Sequence, residues 1–392
     1  MFAVKELFRT MDVINRTQEL KALFSYEHKV ELEEKQLEIL PYRFNQTMGA
    51  QDIECLLQIM PTPGFSKIPD YGIEENKNFN YLIFAPKRNE KHKDAILLLH
   101  GLNERSWEKY LTWAEYLAEH TGKAVILFPI AFHMNRTPLS WHQPRAILPW
   151  AQLRKEMIED LNNSTFANAA LSSRISDSPL RFYASGRETI YNLWQLTKEI
   201  KNGEHPLFAG DASINIFAYS IGALISQVLL LSNPEKLFDE TKLFMFCGGS
   251  IFCKMNGNSK DIMDQEAFAK LQNYFQSDFL DPSKLPSVCK EDFLEEAFKA
   301  MIKQESMQHF RESFFQKACN RIRAISLKND IVMPTQGIIQ ALGKRCADVV
   351  LKELDFPFEY SHQIPFPANK KIEPGLVDSS FRDLFGRVAS FL

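Results

Sequence analysis

No uninterrupted apolar stretch in this chain reaches the length that a membrane crossing needs, and Met1 to Arg9 break their apolar side chains with charge too often to make a secretory core. The chain is therefore expected to lie outside membranes and in the cytoplasm. Also missing is any basic block long enough to follow a phosphate backbone; with a formal charge of -3, nucleic acid is set aside as a partner. Six cysteines, Cys55, Cys247, Cys253, Cys289, Cys319 and Cys346, lie without the paired spacing of a zinc site or the density of a disulfide scaffold. They read as reduced core thiols, Cys247 and Cys253 being the pair close enough in sequence to bridge. There is no glycine-rich phosphate loop, and His133 and His142 lack ligand-spaced partners, so neither a nucleotide nor a metal is expected. What is present, 45% hydrophobic and 24% charged residues, is ordinary globular composition, enough for one large core and an accessory region. A neutral or weakly charged small molecule suits it best.

Met1 to about Gly72 reads as a charged amphipathic helix, then alternating stretches (Val30-Glu31-Leu32-Glu33, Leu37-Glu38-Ile39-Leu40), then a turn-rich piece near Pro61 and Pro63. Two short apolar runs, Tyr81 to Ala85 and Ala95 to Leu99, follow and are expected to be neighbouring strands. A helix from Trp107 to His120, apolar at Tyr110, Leu111, Trp113, Ala114 and Leu117, leads to a strand Ala124 to Phe128, a βαβ unit. The alternation resumes with helix Glu188 to Ile200, strand Ile214 to Phe217, helix Ile221 to Leu231 and strand Lys242 to Phe246. Such near-continuous apolar strands imply a parallel sheet covered on both faces, with a site at the carboxyl ends of its strands. Two interruptions break the pattern. One spans 131–183, with Trp141, His142, Trp150 and a helical piece near Leu153 to Leu161; the other, about 251–320, is helical and rich in phenylalanine, a stripe expected to be packing core. Both leave from strand carboxyl ends and overhang the same place.

That place is marked by Ile214-Asn215-Ile216-Phe217-Ala218-Tyr219-Ser220-Ile221-Gly222, an apolar run, a serine with small residues two positions away on either side, and then a helical pattern. Small flanking residues let a strand turn sharply into a helix and lift the serine hydroxyl out of the sheet. Ser220 is the candidate nucleophile. A hydroxyl is a weak nucleophile, so it requires a base in hydrogen-bond reach and a carboxylate that fixes the tautomer of that base. Only His309 and His362 follow Ser220. His309 falls in the helical insertion, whereas His362 sits in a loop, Phe358 to Pro365, after an expected strand Val349 to Leu351, and loops at strand ends carry catalytic groups more readily. Asp330, ending the run Arg323 to Leu327 and preceding Pro334, is the candidate acid. For the oxyanion, the backbone amide of Ile221 and that of Leu102, after His100-Gly101, are the candidate donors. His100 is given a loop-supporting role beside Gly101 rather than that of a base.

With these pieces in this order the chain resembles the α/β-hydrolase superfamily: His100-Gly101 after one strand, Ala218-x-Ser220-x-Gly222 after another, Asp330 and His362 following. The resemblance covers about 79–130, 184–250 and 321–392. It implies an α/β fold with an eight-stranded, mostly parallel twisted sheet, helices on both faces and a helical cap inserted after the sixth strand. Residues 1–75 are then an N-terminal extension packed on the core, 76–250 with 321–392 the core, and 251–320 the cap. The implied function is a serine hydrolase, esterase-, lipase- or thioesterase-like, acting on a small-molecule acyl substrate through an acyl-enzyme without cofactor or metal. Ester or thioester cleavage ranks ahead of amide cleavage. Two alternatives stand beside it: an acyltransferase with the same triad, and a catalytically silent hydrolase-fold protein that binds a ligand. No oligomeric state follows from the sequence.

Overall fold

Short runs, most of them apolar, assemble into one nine-stranded sheet. In the computed structural model, which describes residues 12–286, 292–369, 371–373 and 375–392, the strands are β1 (Val30–Leu32), β2 (Leu37–Asn45), β3 (Asn78–Pro86), β4 (His92–Leu99), β5 (Ala124–Leu127), β6 (Phe208–Tyr219), β7 (Leu243–Phe246), β8 (Ile322–Leu327) and β9 (Leu351–Leu354). Their order is β1-β2-β3-β5-β4-β6-β7-β8-β9. From β5 through β9 every pairing is parallel, and β1, β2 and β3 are joined antiparallel. Successive side chains of the central strands alternate between two cores. Leu97, Leu99, Ile216, Ala218 and Met245 enter one, and Ile96, Leu98, Phe217, Tyr219 and Phe246 enter the other. The first core lies under helices Leu180–Lys201 and Ile221–Ser232, and the second under Glu108–Thr121 and Leu376–Phe391. This strand order, parallel from β5 to β9 with an antiparallel edge and helices on both faces, is consistent with the α/β-hydrolase fold.

Four details depart from the expectations. The sheet has nine strands rather than eight, because Val30–Leu32 pairs with β2, and both strands come from the first 75 residues, which thus enter the sheet itself. The runs in β3 and β4 are not neighbours: β5 lies between them, pairing antiparallel with β3 and parallel with β4, since the βαβ crossover returns β5 to that side of β4. Val349 and Val350 close a helix, Lys344–Val350, and the strand begins only at Leu351. The helical piece expected near Leu153 starts earlier, as Pro144–Met157, with proline at its first turn where no amide partner is lost.

Of the phenylalanines in the second long segment, Phe275, Phe279, Phe298 and Phe315 are fully buried, while Phe293 and Phe310 are exposed. The five described cysteines are free thiols, so Cys247 and Cys253 do not bridge; Cys289 and Met1 to Arg9 lie outside the described residues. Among the described residues no helix is long and apolar enough to cross a membrane.

Candidate active site

At the end of β6 the backbone turns within one residue. Ser220 has φ 55° and ψ -122°, a conformation that L-residues avoid, and helix Ile221–Ser232 begins directly after it. The turn closes because its neighbours carry no side chain. A Cβ on Gly222 would stand 2.7 Å from the Leu99 carbonyl oxygen and 2.9 Å from that of His100. One on Gly248, after β7, would stand 2.7 Å from the Ser220 carbonyl oxygen and 2.9 Å from its nitrogen. Gly101, in the loop after β4, packs against the Ser220 side chain, where an added Cβ would come 3.4 Å from the serine Cβ.

The hydroxyl so presented meets an imidazole. Ser220 Oγ lies 2.7 Å from His362 Nε2, and His362 Nδ1 lies 2.8 Å from Asp330 Oδ2. The carboxylate favours the proton on Nδ1, which leaves the Nε2 lone pair for the serine hydroxyl. Asp330 Oδ1 also accepts from the amides of Val332 and Met333, each at 2.9 Å. Burial pushes the Asp330 carboxyl up, but the hydrogen bond and charge of His362 and the two amides outweigh it and hold the carboxyl below its ordinary range. All three side chains are buried, Ser220 being only 3% exposed. The histidine loop is tied from two sides. The Tyr219 hydroxyl donates to the His362 carbonyl oxygen, and Lys109 Nζ donates to that of Gln363 at 3.0 Å while pairing with Glu104. His309 is exposed on helix Gln308–Ala318 and joins none of this.

The Ile221 amide, at the first position of its helix, and the Leu102 amide donate to no protein group among the described residues, as a helix N-terminus and an open loop allow. His100 is fully buried. Its Nδ1 bonds the Gly101 carbonyl oxygen at 2.8 Å, and its Nε2 accepts from the Ile130 amide at 2.9 Å. Burial, reinforced by His133, holds its pKa well below the ordinary histidine value, so the ring is a neutral tie between the loops that follow β4 and β5. The Gly101 amide in turn donates to the Tyr110 hydroxyl at 2.9 Å.

Both long segments close over Ser220. Phe182 from the first, and Met255, Ile262, Phe268 and Leu271 from the second, line a cavity of about 30 Å³ that the serine and Ile221 share. A smaller one, about 20 Å³, lies beyond Leu102 and Ile221 and reaches His133. Among the described residues no cluster of three or more His, Cys, Asp or Glu is arranged to hold a metal ion.

The profile of the family described as "Family of unknown function (DUF6051)" matches residues 11–392. The chain belongs to that family. No curated protein matches this DUF6051 member. Among solved structures it is similar to a carboxyl esterase from the mycorrhizal fungus Tuber melanosporum, with 10% identity, coverage of 98% of this chain and 100% of that one, and a TM-score of 0.45. It is also similar to a hyperthermophilic esterase from the archaeon Pyrobaculum calidifontis (11% identity, 99% and 93% covered, TM-score 0.41) and to a thermostable esterase from Pseudomonas putida (9%, 97% and 91%, TM-score 0.41). No residue role passes from those proteins to this chain.

Of the residues singled out in this DUF6051 sequence, the structure brings Ser220, His362 and Asp330 into one hydrogen-bonded line, and Leu102 and Ile221 line one cavity with Ser220. Sequence reasoning missed Tyr219, Lys109 and Gly248. Tyr219 adjoins the serine but reads as one more apolar strand residue, and Lys109 as a charge on a helix. Gly248-Gly249 directly after an apolar strand was a signal for close backbone approach.

Proposed function

We propose that this chain is a serine hydrolase that cleaves a carboxylic ester or thioester through an acyl-enzyme. The observation that carries the reading is the line Ser220 Oγ, His362 Nε2, His362 Nδ1, Asp330 Oδ2, with gaps of 2.7 and 2.8 Å, on a strand-to-helix turn strained at the serine. Ser220 Oγ bonds to the carbonyl carbon as its proton passes to His362 Nε2, and Asp330 stabilises the imidazolium. The amides of Leu102 and Ile221 hold the oxyanion. His362 then gives the proton to the leaving oxygen or sulfur as its bond to carbon breaks. Water repeats the sequence, adding its oxygen to the acyl carbon and releasing Ser220 and the carboxylic acid. In this reading the helical segment 251–320 is a cap, His100 and Gly101 support the oxyanion loop, and the partner is a small acyl compound.

Acyl transfer to an alcohol is the second reading, since it would use the same residues and the apolar side chains around the cavity, Phe182, Met255 and Phe268 among them, keep bulk water from Ser220. Product analysis with an added alcohol separates the two. Labelling with a fluorophosphonate tests the whole reading: wild type labels, Ser220→Ala does not, and persistent labelling of the variant removes Ser220 as nucleophile. His362→Ala is expected to lower kcat by about 10⁶-fold, as loss of a base that acts as a unit with its nucleophile does. His309→Ala is expected to leave kcat unchanged, and a reversal would move the base into the cap.

A further inference from the structure

We propose that the site takes esters that join a short acyl group to a bulky, mostly apolar alcohol, an inference that rests on the serine-hydrolase reading. Proton flow assigns the two sides. The leaving oxygen must stand within hydrogen-bond reach of His362 Nε2 to recover the proton, so the alcohol lies on the side of His362 and the acyl group on the other. On the side of His362, the residues that follow it, Gln363 to Phe366, form one wall of a groove of about 650 Å³, to which Trp113 and Ile14 contribute apolar surface. That is room for a whole small molecule, which needs roughly 300–1,000 Å³. On the other side Phe182 and Leu271 close the cavity of about 30 Å³ beside Ser220, and the cavity beyond adds about 20 Å³. Both are more than tenfold smaller than the groove, so they take a small group only.

Leu102 and Ile262 stand in the walls of both the groove and the cavity. Asn103, next to Leu102, ties the junction shut by donating to the carbonyl oxygens of Ala167 at 2.8 Å and Asp261 at 2.7 Å, one from each long segment.

The test compares kcat/KM of the full chain on 4-phenylbutyl acetate, 4-phenylbutyl octanoate and ethyl acetate, whose alcohols have similar basicity. The phenylbutyl acetate is expected to exceed each of the other two by about tenfold or more. Phe182→Ala, which opens the acyl side, should raise the octanoate-to-acetate ratio. Ile364→Glu, at an exposed position of the groove, should lower the phenylbutyl-to-ethyl ratio. Fluorophosphonate labelling of Ser220 in each variant verifies that the site is still assembled. Octanoate preferred over acetate, ethyl acetate matching phenylbutyl acetate, or labelling of Ser220 without turnover of the phenylbutyl acetate overturns the size assignment and leaves the nucleophile standing. Absence of both labelling and turnover removes the serine-hydrolase reading, and this inference with it.

Discussion

Beneath Ser220 the chain meets itself backbone to backbone, with Gly222 against the Leu99 and His100 carbonyls and Gly248 against the serine's own peptide, and no charge takes part. Above it, the two long segments are tied by buried ions. Arg154, on the first, donates to both carboxylate oxygens of Asp264, on the second, at 2.9 Å, and Asp264 also caps helix Gln265–Gln276. Arg174 and Arg181 share Asp70, which ties the first segment to the N-terminal 75 residues, and Arg187, farther along helix Leu180–Lys201, pairs with the half-buried Asp292 of the second. The floor thus depends on the absence of atoms and the roof on matched charges, so the two should fail under different insults.

The largest effect is expected in the roof. Asp264→Asn removes the nearer of the two carboxylates on the buried Arg154 guanidinium, leaving it only Glu266 at 3.5 Å, and should cost up to about 3–5 kcal/mol, measured by urea unfolding; an unchanged midpoint would mean that the cross-brace contributes nothing. Acid comes next and probes the seam between the two regions, where His100 and His133 stand with ring centroids 5.3 Å apart. Burial holds His100 well below the ordinary value and His133 down to about 4. The unfolded chain takes up protons on both once pH falls below about 6.5, while the folded His133 resists until about 4, so stability is expected to fall with pH across that window, by up to about 1.4 kcal/mol per pH unit for each ring. Asp330 acts elsewhere: its carboxyl, held low, contributes stability that is present above about pH 4 and is lost only on further acidification. Replacing His133 with Gln should flatten the slope of unfolding midpoint against pH between 6.5 and 4.5 by one proton. In the floor, Gly222→Ala forces a methyl group into backbone carbonyls and should cost about 1–3 kcal/mol, together with a loss of kcat as the turn shifts. Smallest, and opposite in sign, is Ser220→Gly. Removing the Cβ from a strained turn should raise the unfolding free energy by about 1 kcal/mol while ending fluorophosphonate labelling.

The floor was legible in the sequence and the roof was not, and the reason is range. Ala218-x-Ser220-x-Gly222 is a local pattern whose geometry follows from the size of its side chains, and the order of Ser220, Asp330 and His362 identified the partners once the motif was recognised. Strand boundaries were legible only where apolar runs ended in charge. Val349-Val350 reads as strand by β-branching, yet these residues finish an amphipathic helix in which Val350 packs and Val349 faces solvent. A short run of that kind does not distinguish the two states. The placing of β5 between β3 and β4 is a property of the crossover, not of any residue in it. Arg154 and Asp264 are 110 positions apart, and nothing near either one announces the other. The alternation of Val30 to Leu32 was visible, but an edge strand three residues long has no local signature of the sheet it will join.

The helix that follows the turn has one further consequence. From Ile221 to Leu231 every residue is buried, so the amide hydrogens beyond its first turn have no shallow route to solvent and should exchange with deuterium only when the whole molecule opens. The amides around Ala167 and Asp261, where the long segments meet the Leu102 loop, are expected to exchange through much smaller openings. The ratio of the two rates therefore reports how often the way to the serine is open, before any substrate is known.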